Sequence, residues 1–181
     1  MGEVGLARAA VSVTTLDRKL ARLMEPRAAT PERRLAAIRG LAEAGTPTVV
    51  MFAPVIPGLN DHELEPVLER AAQAGAVGAG YVVLRLPREI KDLFRQWLDE
   101  RLPERATRVM SLVRQIRGGR DYDPRWGERM KGEGPIAELI ARRFAIARRR
   151  FGLDRPTPPL DIRQFRSPVA FDQPDLFTLE T

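Results

Sequence analysis

The chain has 181 residues, no cysteine and a formal charge of +6, from 30 Lys and Arg against 24 Asp and Glu. That length is one domain's worth, and a 44% hydrophobic fraction supports a full core. Without cysteine there is no disulfide, thiolate metal site or cysteine nucleophile, and without a long apolar run or signal-like start the expected location is cytoplasmic.

Ala10 to Thr14, AVSVT, predicts a first buried strand, with Ser12 and Thr14 sharing one face by alternation. Unless something precedes it, this strand is an exposed edge. A short helix over Asp17–Met24 follows, then a loop over residues 25–29. Thr30-Pro31-Glu32 starts the next helix, with Thr30 as cap and Pro31 in the first helical position. Leu35, Ile38, Leu41 and Ala42 line its apolar face, and Gly45 ends it.

The central stretch is Val49 to Glu63, VVMFAPVIPGLNDHE. It predicts a buried strand that breaks at Pro57-Gly58 and turns straight into a helix over about 61–74, ended by Gly75. Asn60 or Asp61 is the expected helix cap, and Gly58, lacking a Cβ, allows close approach to a ligand. Loops leaving the carboxyl ends of parallel strands are where ligands sit in α/β folds. Gly80 to Leu86 predicts a third strand. The repeat of Ala-Gly before each later strand has the length of a β/α step, so residues 10–87 predict an α/β fold with a parallel sheet.

After Pro87 the periodicity becomes helical: residues 90–102, 105–117 and 136–151, with a Gly-rich loop carrying Tyr122 and Trp126 between the last two. From Gly152 the chain is Pro-rich and predicts an extended or disordered tail. The domain reading is therefore β/α units over 1–87, a helical extension over 88–151 and a tail over 152–181.

The segments SVTTLD, LMEPRAATPERRLAAI, APVIPGLNDHE, GYVVLRLP and MSLVRQIRGGRDYD, in this order, resemble the C-terminal half of radical SAM proteins of the spore photoproduct lyase-like branch. The resemblance covers residues 8–152. It implies the second half of a partial TIM-type (β/α)6 barrel. In that family S-adenosylmethionine is cleaved to a 5′-deoxyadenosyl radical by a [4Fe-4S] cluster held by three cysteines. It also implies roles for particular residues. Ile56 and Gly58 match the Gly-x-Ile-x-Gly-x-x-Glu pattern that lies against adenine, Asp61 stands as a shortened acid beside Asn60, and Pro54 replaces the first glycine. Ser12 and Thr14 would face the methionine or ribose part. Arg27 would pair with the methionine carboxylate, a role Arg33 or Arg34 can also fill.

The cluster cysteines are not in this sequence, so the resemblance implies a fragment or a split subunit, inactive alone, whose missing half-barrel lies in the same or another chain. The single histidine, His62, has no partner set for a metal and reads as exposed. Arg142-Arg143 and Arg148-Arg149-Arg150 read as a solvated face or as phosphate contacts to nucleic acid, with Tyr122 and Trp126 stacking bases or anchoring their loop. In the tail, Gln173, Asp175, Leu176 and Phe177 resemble the Gln-x-Asp-Leu-Phe peptide that binds the bacterial sliding clamp. The other reading of the whole chain is a non-catalytic module binding nucleic acid or the clamp.

Overall fold

The computed structural model describes residues 2, 5–121, 128–156 and 159–164. Three parallel strands form the sheet in the order β1 (Ala9–Ser12), β2 (Thr48–Val55) and β3 (Gly78–Val83). Ala9 pairs with Thr48 at one seam, and Val49 with Gly78 at the other. The register with β3 shifts between Phe52 and Val55, where the Ala53–Pro54 peptide is cis. Each crossover carries a helix. Between β1 and β2 run α1 (Arg18–Met24) and α2 (Pro31–Glu43); between β2 and β3, a 3-10 turn (Asp61–Glu63) leads into α3 (Leu64–Gln73).

Local signals explain these elements. Asp17 caps α1, its Oδ1 accepting from the N–H groups of Lys19 at 2.7 Å and Leu20 at 3.3 Å. Thr30 caps α2 through Arg33 N–H, with Pro31 in the first turn as predicted. Gly45 and Gly75 take φ of +68° and +96° just beyond α2 and α3, which ends both helices.

The two faces of the sheet differ. Val11, Val50, Phe52, Ala79 and Tyr81 meet Leu35 and Ile38 of α2, and Val67, Leu68 and Ala71 of α3. On the other face Ala10 and Ser12 are exposed, and Val49, Met51, Ala53, Gly80 and Val82 are partly exposed. There Met51 lies across Gly80, where a Cβ would come within 2.7 Å of the thioether sulfur. Among the described residues, β1 pairs only with β2, so its other edge is open.

The remaining helices share cores with the sheet. The hairpin of α4 (Ile90–Arg101) and α5 (Pro103–Gln115) covers the carboxyl ends of the strands: Leu98, Val109 and Val113 pack on Ile56, Leu59, Leu84 and Leu86. Burying each such aliphatic side chain contributes about 1.5–3 kcal/mol. Trp97 Nε1 donates to the Leu23 carbonyl at 3.2 Å, tying α4 to α1. Arg117, buried just beyond α5, donates to the Leu84 carbonyl at 2.6 Å. A single turn, α6 (Glu128–Lys131), precedes α7 (Gly134–Arg150). The α7 helix packs on α3 and on β3, with the Tyr81 and Phe144 rings 4.6 Å apart. Beyond it the chain returns to the amino end of β1, where Asp161 N–H donates to the Gly5 carbonyl at 2.9 Å.

The differences from the sequence reading have physical causes. The first strand was expected over 10–14, but its last ladder bond is Val13 N–H to Met51 C=O at 2.9 Å, after which Thr14 turns to other partners. The third strand starts two residues early, because Gly78 and Ala79 pair with β2 despite poor strand propensity. It ends early as well, with Arg117 engaging the Leu84 carbonyl. The tail beyond Gln164, with Gln173, Asp175, Leu176 and Phe177, lies outside the described residues, as do Tyr122 and Trp126. Among the described residues no helix is long and apolar enough to cross a membrane.

Arg143 fastens α7 to the first turn of α3 and to the 3-10 turn before it. Arg143 Nε and Nη2 meet the two carboxylate oxygens of Glu65 at 2.8 and 2.6 Å, and Nη2 also reaches the Asp61 carbonyl at 3.0 Å. The Arg143 hydrogen bond holds the Glu65 carboxyl below its ordinary range, against the opposing push of burial. A folded-state pKa below the unfolded one gives stability that is present above the unfolded value of 4.5 and lost as pH falls through the folded value. Urea midpoints should therefore fall as pH drops below about 4.5 in the native chain and less steeply in Glu65→Gln. Parallel pH profiles for the two proteins would contradict this.

Candidate cofactor site

At the carboxyl end of β1 three elements converge on one cleft of about 190 Å³. Thr14 and Thr15 come from the strand end, Arg18 and Arg22 from α1, Glu25 from the loop after α1, and Arg34 from the second turn of α2. The cleft exists because α1 leads the chain out and α2 brings it back over the same strand end. The amino end of α2, capped by Thr30, forms one wall and adds a positive dipole end.

The centre of the cleft is a fixed polar cluster. The Thr14 hydroxyl donates to Glu25 Oε2 at 2.9 Å, and Arg34 Nη2 donates to the same oxygen at 3.0 Å. Arg34 also donates from Nε to the Ala29 carbonyl at 3.1 Å and from Nη1 to the Ser12 carbonyl at 3.0 Å. Three of the guanidinium's five N–H donors are engaged this way, which fixes its plane and leaves two for an anion. The arrangement offers a carboxylate and hydroxyl for ligand hydroxyl or ammonium groups beside a guanidinium for a ligand carboxylate.

Asn60 sets where this cluster sits. Its side chain is fully buried. The carboxamide Nδ2 donates to the Thr14 carbonyl at 2.7 Å and the Pro54 carbonyl at 2.9 Å, while Oδ1 accepts from Ile56 N–H at 2.7 Å. One amide thus clasps the ends of β1 and β2. Glu63 adds a second tie, its Oε2 accepting from Leu16 N–H at 2.9 Å.

The predicted site residues divide accordingly. Thr14 is buried in the cleft wall, and Ser12 is exposed at the strand end, its carbonyl held by Arg34. Both were expected within one strand, whereas the strand ends at Ser12 and Thr14 lies just beyond it. Arg27 is exposed on the loop and does not line the cleft; Arg34 does. Ile56 is fully buried in the cluster beneath α4 and α5. Gly58 faces α5 rather than a ligand space: at φ +78°, its Cβ would sit 2.7 Å from Leu112 Cδ1. Its N–H donates to Asp61 Oδ1 at 2.7 Å, and Asp61 Oδ2 lies 3.9 Å from Arg143 Nη1. Asn60 was expected to cap the following helix but makes no cap bond there, because its amide points back to the strands. Glu25 is the site residue that the sequence reading missed, although it sits in the resembling segment LMEPRAATPERRLAAI.

The model of the Radical SAM superfamily matches residues 1–71, a stretch that holds β1, α1, α2, β2 and the Asn60 turn. Uncharacterized proteins of Mycobacterium bovis (Mb2609c) and Mycobacterium tuberculosis (Rv2578c) are each 35% identical over 152 residues, covering 83% of this chain and 42% of their own length. The chain thus spans less than half the length of these curated relatives. No solved structure matches. The superfamily implies S-adenosylmethionine and a [4Fe-4S] cluster. The residues present do not fit the cluster: the sequence has no cysteine, and among the described residues no group of His, Cys, Asp and Glu is placed to hold a metal ion. What the cleft does offer is a guanidinium from Arg34 beside a carboxylate from Glu25 and a hydroxyl from Thr14.

Asn60→Asp keeps the shape but sets carboxylate oxygen against two carbonyl oxygens. It should lower unfolding free energy by about 2–4 kcal/mol in urea titrations at neutral pH. A change within about 0.5 kcal/mol would mean that the clasp contributes nothing.

Proposed function

We propose that this chain is the S-adenosylmethionine-binding wall of a radical SAM enzyme of the spore photoproduct lyase-like branch, acting in nucleic-acid repair or modification. The cluster-bearing strands would come from polypeptide outside this sequence and pair along the open edge of β1. The observation that carries the proposal is the Thr14–Glu25–Arg34 cluster, built at a strand's carboxyl end inside the stretch that matches the superfamily.

In this reading Arg34 takes the methionine carboxylate with its two remaining donors, and the α2 amino end reinforces the negative charge there. Glu25 and Thr14 take the ammonium or ribose hydroxyl groups. Met51 and Gly80, on the open sheet face, give the adenosyl portion an apolar floor. When bound beside a cluster, the cofactor supplies the 5′-deoxyadenosyl radical for hydrogen abstraction; this chain's own part is to bind and orient it.

Isothermal titration of the purified chain should detect S-adenosylmethionine with a dissociation constant of about 1 mM or tighter. Arg34→Ala and Glu25→Gln should each weaken it by about tenfold or more, and Arg34→Lys, which keeps the charge but loses the fork, by an intermediate factor. Iron and sulfide should give this chain no iron–sulfur absorption. Binding that is indifferent to both Arg34→Ala and Glu25→Gln would overturn the assignment.

A further inference from the structure

The α7 helix turns one face inward, with Ala137, Ile140, Phe144 and Ala147 buried against α3 and the sheet. Its opposite face is unusual for a surface. Leu139 and Ile146 are 56% and 59% exposed, and Arg142 and Arg149 are exposed between and beyond them. The spacing 139, 142, 146, 149 is three, four, three, which is the seam along which two helices pack side by side. It runs about 15 Å along the axis. A scattered exposed leucine needs no explanation, but two aliphatics in helical register, alternating with arginines, form a continuous stripe.

The charge on this stripe narrows what covers it. Glu138, the acid beside it, lies 3.7 Å from Arg142. Arg143, one step around the helix, is already held by Glu65, and Arg150 lies over the Phe151 ring at 5.4 Å. The Arg142–Glu138 contact joins two exposed side chains and contributes little, so Arg142 can exchange it for another carboxylate, and Arg149 is exposed one seam position beyond Ile146. A second copy of α7 laid antiparallel on the same seam would set Leu139 against Arg149 and Arg142 against Ile146, guanidinium on aliphatic, and in the parallel sense would set like against like. Nucleic acid would use the arginines and leave Leu139 and Ile146 in water. A helix with an apolar stripe bordered by carboxylates satisfies both features at once.

We propose that this face docks an acidic amphipathic helix on another polypeptide, its apolar residues covering Leu139 and Ile146 and its Glu or Asp residues pairing with Arg142 and Arg149. The site is remote from the cofactor cleft and does not depend on that assignment.

The probe is a fluorescent three-heptad peptide with Leu at the seam positions and Glu at the flanks, titrated with the full chain and followed by anisotropy. A second peptide carries Lys in place of Glu. The Glu peptide should bind with a dissociation constant of about 100 µM or tighter, and the Lys peptide about tenfold or more weakly. The double variants Leu139→Ser/Ile146→Ser and Arg142→Glu/Arg149→Glu should each weaken the Glu peptide about tenfold, with melting temperatures within about 2 °C of the parent. No binding of the Glu peptide up to about 1 mM, equal binding of both peptides, or indifference to Leu139→Ser/Ile146→Ser would overturn the proposal. So would tight binding of labelled duplex DNA that is lost in the arginine variant but kept in the serine variant, which would give the face to nucleic acid.

Discussion

A single buried carboxamide ties together the exits of β1 and β2. Asn60 has three hydrogen bonds of 2.7–2.9 Å, all to backbone groups of β1's exit and β2's exit. Parallel strands have no hairpin to fix their ends relative to each other, so the ends must be tied from elsewhere. Asn60 does this from a turn placed just past the sheet, and Glu63 repeats it one step along. Because the tied residue is Thr14, whose hydroxyl contacts Glu25, the clasp also sets the floor of the cleft. The exchange of two donors and one acceptor with no solvent nearby makes the arrangement intolerant of change in a way an exposed turn would not be.

This divides the chain into a structural turn and a polar cleft that sit side by side but use different residues. Pro57–Asp61 belongs to the packing of β2 onto α5 and α7: Leu59 is buried, Gly58 lies under Leu112, and Asp61 faces Arg143. The cleft belongs to β1, α1 and α2. Ile56, Gly58 and Asp61, just beyond β2, therefore act first through the fold, and the residues that line the cleft come from the preceding crossover. The cluster chemistry of the superfamily needs thiolates that this sequence does not contain, and among the described residues β1 keeps one unpaired edge.

Much of the framework was legible because its signals are local. Thr30-Pro31 fixes the start of α2 by cap and φ, the apolar runs mark the three strands, and α7 shows its inward stripe at Ile140, Phe144 and Ala147. The site was less legible because its contacts are not local. Asn60 looks like a helix cap when only its neighbours are considered; its actual partner, Thr14, is 46 residues away. Gly58 looks like a ligand-approach glycine until α5, about fifty residues on, is seen against it. Choosing Arg34 over Arg27 depends on which side of α2 faces the strand end, and Glu25 carries no periodic signal at all. Arg117, in the last positions of an amphipathic pattern, gives no hint from charge alone that it is buried on a strand's carbonyls.

The central claim is that the ligand site lies at the β1 exit and the β2 turn supports it from behind. Heteronuclear NMR of the chain titrated with S-adenosylmethionine tests this most directly. The account predicts that the largest shifts fall on the Thr14 and Thr15 amides and the Arg34 Nε–H, with the Gly58 and Leu59 amides little changed. Shifts centred on Gly58 to Asp61, with Arg34 unmoved, would contradict it.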